Sequence, residues 1–255
     1  ILLFQPAEEA EHGGEKVVNT GMFEKYKIEK IFGLHTKQNM PVGTIAIAPG
    51  PFSAAVDRFL YTVKGMGCHG SAPQTGLDPI PAAARLVGSL QEIVSRRISP
   101  TETAVISVTR FTSGTSWNII PETARLEGTV RTFNPKVREQ IVELMQAQAE
   151  GLEREGYQVE FTWIPGCPAT NNDAELAELV RKEAMEEGFH VTLQHPEMGG
   201  EDFSCYQELV PGAFFHVGTG GKYPAHNSKF TVDPAALLGA SKLMSEIVKK
   251  ALKAS

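Results

Sequence analysis

What this chain has little of narrows its class first. Three cysteines in 255 residues, Cys68, Cys167 and Cys205, are odd in number and widely spaced, with no Cys-x-x-Cys pair. That reads as reduced thiols in a cytoplasmic protein rather than as a disulfide framework. Basic residues are in the minority, 24 Lys and Arg against 30 Asp and Glu, for a net charge of -6. Without a Lys/Arg cluster, no nucleic-acid partner is expected. No apolar run approaches the roughly 18 residues that a membrane-spanning helix needs, so no membrane partner is expected either. The N-terminus has no basic stretch and meets charge by Glu8, unlike a signal peptide. A GxSxG nucleophile elbow is absent. Gly218-Thr219-Gly220-Gly221 lacks the Lys of a phosphate-cradling loop. What remains is ordinary for a globular protein: 42% hydrophobic and 21% charged residues, with length for one large domain or two smaller ones.

The first nine residues, ILLFQPAEE, carry the strongest local signal. Four apolar residues read as a buried strand, Pro6 stops it, and Glu8-Glu9 stand just beyond its end. Open α/β proteins place their chemistry in the crevice past the carboxyl ends of strands. A strand this apolar is normally covered on both faces, so its covering partners are expected upstream of residue 1.

Further along, 28–36 and 42–48 are apolar and β-prone, and Pro49-Gly50-Pro51 is a candidate hinge. A self-contained pattern follows. A strand is predicted over 57–64, an amphipathic helix over 79–97, and strands over 104–111 and 124–133. Pro135 then opens a helix with the stripe Val137, Ile141, Leu144, Gln148, Leu152, and a last strand covers 157–164. The order β-α-β-β-α-β is ferredoxin-like. Beyond Pro168 the pattern returns to α/β, with helices over 173–187 and 234–252 and strands over 189–193 and 213–217. The simplest account is one α/β domain built from residues 1–53 and 166–255, interrupted by an α+β ferredoxin-like unit over 54–165.

Several residues could carry chemistry. One carboxylate of Glu8-Glu9 can bind a metal while the other stays free as a base, although adjacent carboxylates are also common on solvated faces. His35 ends an apolar strand, and His226 follows the Gly218–Gly221 loop; either fits an ordinary edge histidine as well as a ligand. His69 sits in a Gly-rich loop suited to close approach of a ligand. Arg131 shares a strand face with Arg125, Glu127 and Thr129, which a solvated face also explains.

Taken in order, QPAEE, GLH followed by Pro41, GMGCHGSAPQTGLDPI, NIIPE, GTVRTFNP, GGEDFSCY and HNSKF resemble the metal-dependent amidohydrolases of the aminoacylase and hippurate hydrolase group. That group includes auxin-conjugate hydrolases and N-acetyl-diaminopimelate deacetylases. The resemblance spans the whole chain. It implies a di-zinc-peptidase-like α/β catalytic domain with a mixed sheet, interrupted by a lid domain that also forms a homodimer. It implies two divalent ions per subunit, for which His and carboxylate donors suit zinc, manganese, cobalt or nickel.

By the same resemblance Glu8 is the general base, and Glu9, His35 and His226 are metal ligands. His69 reaches a partner's active site to polarise the substrate carbonyl. Asn118 contacts substrate across the dimer, and Arg131 holds the substrate's α-carboxylate, as a guanidinium fork suits. Gly199, Gly200, Glu201 and Asp202 form a loop near the site without an assigned role. Two departures stand out. Gln74 occupies a position where members commonly carry a second His. The upstream Cys-Gly-His-Asp segment that supplies the family's first Cys and His ligands has no match here. The implied activity is hydrolysis of N-acyl-L-amino acids, acetyl or benzoyl, to a carboxylic acid and a free amino acid. The alternative is a truncated, catalytically incomplete relative acting as a dimeric binding protein.

Overall fold

A computed structural model describes residues 1–11 and 13–253, without the side chains of Ala10 and Glu11. The chain divides into two compact units, Ile1–Ala54 with Ala169–Ser255, and Ala55–Pro168.

The first unit is built on a mixed four-stranded sheet. Its order is Ile31–Lys37, Gly212–Gly218, Thr44–Ile47, His190–Leu193. The first pair and the last pair are parallel, and the middle pair is antiparallel. Gly212–Gly218 is buried at all seven positions, as befits a central strand, and its side chains alternate between two cores. Ala213, Phe215 and Val217 join Ile45 and Ile47 against helices Ala174–Glu186 and Pro234–Lys253, through Leu176, Val180, Leu243 and Ile247. Phe214 faces the other way, into a cluster with Phe23, Phe52, Phe203 and Tyr206. His216 shares that second face and stands in register with His35 on the neighbouring strand. Phe32 and Leu34 pack on the helix side, so His35 and Lys37 point to the opposite side. The alternation therefore delivers His35, Lys37 and His216 to one surface.

The expected strand at residues 1–4 does not form. Ile1 to Ala7 lie outside any strand, and Ile1, Leu2 and Phe4 are between 74% and 87% exposed. An apolar run becomes a strand only when a neighbour supplies a hydrogen-bonding ladder, and among the described residues nothing pairs with it. Pro49-Gly50-Pro51, expected as a hinge, is partly taken up by a strand, and the division between the two units falls just beyond it, at Ala54/Ala55. Gly50–Ser53 is a strand whose Gly50 and Pro51 pair with Asn172 and Asn171.

The second unit carries an antiparallel sheet in the order Ala104–Ser113, Thr123–Thr132, Ala55–Lys64, Gln158–Ile164. Helices Pro79–Glu92 and Pro135–Arg154 cover one face around Phe59, Tyr61, Leu86, Leu90, Leu126 and Ile141. Both begin with a side-chain cap ahead of a proline: Asp78 accepts from Ile80 N and Asn134 from Lys136 N. The predicted helix over 79–97 is helical throughout but widens to π geometry at Ile93–Arg97. In Pro135–Arg154 the buried stripe is Val137, Ile141, Met145, Ala149, Leu152. The predicted Leu144 packs on the same core from the edge of this stripe, and Gln148 is half-buried beside it, so the fully buried line runs through Met145 and Ala149 instead.

Candidate active site

One cavity of about 540 Å³ opens at the surface where His35, Lys37 and His216 emerge, and every residue lining it belongs to the first unit. Glu8 and Glu9 line it from the start of the short helix Glu8–Glu11, His226 from the loop after Gly212–Gly218, and Glu197 and Glu201 from the segment ahead of helix Ser204–Gln207. Two non-glycine residues have left-handed backbones here, His226 (φ 66°) in the lining and Ala7 (φ 60°) directly before Glu8. Such conformations persist where the surroundings impose them and cluster at functional sites.

The donor atoms suit divalent ions. His226 Nε2 lies 3.6 Å from Glu9 Oε2. His35 Nδ1 is 2.8 Å from the carbonyl oxygen of Thr36. A carbonyl only accepts, so Nδ1 carries the proton and Nε2 keeps a lone pair for a metal. Oxygens of Glu8, Glu201 and Asp202 lie within 4.8 Å of one another. Asp202 is already committed, since both of its oxygens accept protein hydrogen bonds.

Crowding of carboxylates governs the electrostatics. Burial pushes the Glu8 carboxyl above its ordinary value, with Glu9 and Asp202 adding to the shift and His35 and His226 opposing it. Burial pushes Glu201 up to about 7, while the hydrogen bond from Phe203 N works the other way and Glu8, Asp202 and Glu9 reinforce the rise. Elsewhere in the lining, Lys37 Nζ donates to both oxygens of Glu197, at 2.5 and 2.7 Å. Burial raises Glu197, and Lys37 with His216 more than offsets that, holding it below the ordinary range. His216 is pushed down to about 4 by burial, aided by Lys37 and His35 and opposed by Glu197. It is therefore a neutral imidazole at pH 7, held through Nδ1 by Gln194 Oε1 at 2.8 Å.

Four of the residues singled out in the sequence, Glu8, Glu9, His35 and His226, thus line one cavity. His69 and Asn118 lie in the second unit and are neighbours there. A short ribbon pairs Cys68 with Ile120 and His69 with Ile119, and Gly70 N donates to Asn118 O at 2.9 Å. His69 is exposed, with Nδ1 2.7 Å from Ser71 Oγ. Arg131 is half-buried on the sheet face turned from the helices, where Val130 and Thr132 on either side are buried. Sequence reading passed over His216, Lys37 and Glu197 and gave Glu201 no role. The signal for the first two was available as strand alternation, since Phe214 and His216, like His35 and Lys37, are two residues apart.

A family profile described as peptidase family M20/M25/M40 matches residues 1–250. The chain is 42% identical over 246 residues to an N-acetylcysteine deacetylase of Bacillus subtilis (strain 168), covering 96% of this chain and 64% of that protein. It is 34% identical over 253 residues to an N-acetyldiaminopimelate deacetylase of Bacillus pumilus (strain SAFR-032), covering 98% and 67%. Among solved structures, a Bacillus subtilis protein described as a dinuclear metal binding peptidase from the M20 family superposes with a TM-score of 0.84 at 39% identity. That match covers 98% of this chain and 64% of the other. The chain therefore spans slightly less than two thirds of the length of several relatives it matches.

Proposed function

We propose, because this chain belongs to peptidase family M20/M25/M40, that it is the working part of a metal-dependent amidohydrolase that splits N-acyl-L-amino acids into a carboxylic acid and an amino acid. The observation that carries this is the meeting of Glu8, Glu9, His35 and His226 around one cavity, with Glu9 and His226 in contact. Deacetylase activity in the named relatives supports an acetyl or similarly small acyl group.

Glu9, His35 and His226 would hold divalent metal, two ions in the complete centre, with zinc, manganese, cobalt and nickel all suited to these donors. When bound, such ions polarise an amide carbonyl and lower the pKa of a water toward about 7. Glu8 is the general base: it takes a proton from the attacking water and returns it to the leaving amine. Its raised affinity for a proton, caused first by burial, suits both tasks. His69, exposed on its ribbon, would donate to the substrate carbonyl oxygen in a second copy of the chain, which makes Ala55–Pro168 the lid and the dimer contact. Asn118 would contact substrate beside it, and Arg131 would receive the α-carboxylate through its guanidinium fork. The odd number and wide spacing of the three cysteines support a cytoplasmic location, and no helix among the described residues is long and apolar enough to cross a membrane.

The test is Glu8→Gln in the metal-loaded protein, assayed on N-acetyl and N-benzoyl amino acids. Turnover is expected to fall about 10²- to 10⁴-fold, the range for a lost general base, with metal content retained. Unchanged turnover would remove Glu8 from the chemistry. A wild-type protein that binds acyl amino acids as a dimer without cleaving them would be a binding protein instead.

A further inference from the structure

Glu8 and Glu9 are held from both sides by one distant carboxylate. Asp202 is 4% exposed. Its two oxygens accept from Gln5 Nε2, each at 2.9 Å, and Oδ2 also accepts from the backbone N–H of Gly14 at 2.7 Å. Tyr206, itself buried, donates its hydroxyl to Gln5 Oε1. The Gln5 amide therefore donates at one end and accepts at the other, which fixes its orientation. The far side of the segment is seated as tightly. A Cβ on Gly14 would stand 2.5 Å from Asp202 O, and one on Gly13 would stand 1.8 Å from Pro6 O. Only glycine lets the backbone come this close. Between these anchors, Ala7 takes its left-handed conformation directly before Glu8.

We propose that Asp202, with Gln5 and Tyr206, is a positioning clamp that sets where Glu8 and Glu9 stand. Asp202 belongs to the acidic group around Glu8, yet its oxygens face Gln5 and Gly14, so it acts by holding backbone. The clamp gives the Gly199–Asp202 loop a task, and it explains why Gln5 and the Gly13-Gly14 pair accompany the two glutamates. It rests on the reading of Glu8 as base and Glu9 as ligand.

Asp202→Asn tests it with little change in size. An amide has one acceptor oxygen, and its NH₂ would confront either Gln5 Nε2 or the Gly14 N–H. In the metal-free protein, amide hydrogen exchange around Glu8 and Glu9 is expected to rise about tenfold or more, the effect of losing one charge-assisted hydrogen bond. Protection of Gly212–Gly218 and Pro234–Lys253 should stay unchanged. In the metal-loaded protein kcat is expected to fall about 10- to 100-fold, as for residues that orient a metal site from behind, with KM changed much less. Tyr206→Phe removes only the hydroxyl and should act in the same direction more weakly, so the proposal stays testable if Asp202→Asn folds poorly. Unchanged exchange near Glu8, or a rise spread evenly through Gly212–Gly218, would overturn the clamp. Absence of turnover in the wild-type protein would count against the hydrolase reading alone, because the exchange measurement judges the clamp without it.

Discussion

Glu8 and Glu9 are the same side chain in adjacent positions, and their surroundings separate them. Glu9 meets His226, whereas Glu8 turns toward Glu201 and Asp202. The two substitutions should therefore fail differently. Glu9→Gln is expected to lower metal affinity about 10-fold or more, measured by competition with a chelator, while Glu8→Gln keeps its metal and loses turnover. His216 gives a pH prediction for the metal-free protein. Its folded-state pKa of about 4 lies below the ordinary 6.5, so the fold favours the neutral ring. That contribution is fully present above pH 6.5 and is lost as pH falls toward 4. Urea midpoints measured from pH 7 to pH 4 should fall less steeply in His216→Gln than in the wild type. The paired carboxylates were legible because Pro6 ends the apolar run ahead of them. His216 went unread although its two-residue spacing from Phe214 marks a shared strand face; which core that face meets is set only once its neighbours are in place.

Elements were legible where a local cause sets their ends. Asp78-Pro79, Asn134-Pro135 and Asp173 each mark a helix start, and the structure shows each side chain accepting a backbone N–H there. Asp173→Ala removes the cap of Ala174–Glu186 and is expected to cost about 1 kcal/mol, read as a lower urea midpoint with unchanged metal uptake. The stripe of Pro135–Arg154 was half legible. Val137, Ile141, Leu144 and Leu152 all pack on the core as expected, but the fully buried Met145 was overlooked. Met145→Ala should accordingly cost about 2–5 kcal/mol, and Leu144→Ala less, in the same unfolding assay. The opening run failed for the opposite reason: a strand is a property of pairs, and composition alone cannot supply the partner. The π-turn at Ile93–Arg97 likewise has no mark in the sequence.

At the scale of the molecule, each unit encloses its own hydrophobic clusters. The ends of Ala55–Pro168 lie side by side, with Val56 N donating to Cys167 O at 3.1 Å. Residues 55–168 expressed alone are therefore expected to fold, giving a cooperative thermal transition by circular dichroism; a featureless melt would show that they depend on the rest of the chain. The bond from Asp202 to Gly14 spans 188 residues and those to Gln5 span 197. All of residues 55–168 lie between the glutamate pair and Asp202 in chain order, and so are made after the one and before the other. The contacts proposed to set Glu8 and Glu9 can thus close only after that whole unit has been synthesised, the reverse of a site built from neighbours in sequence.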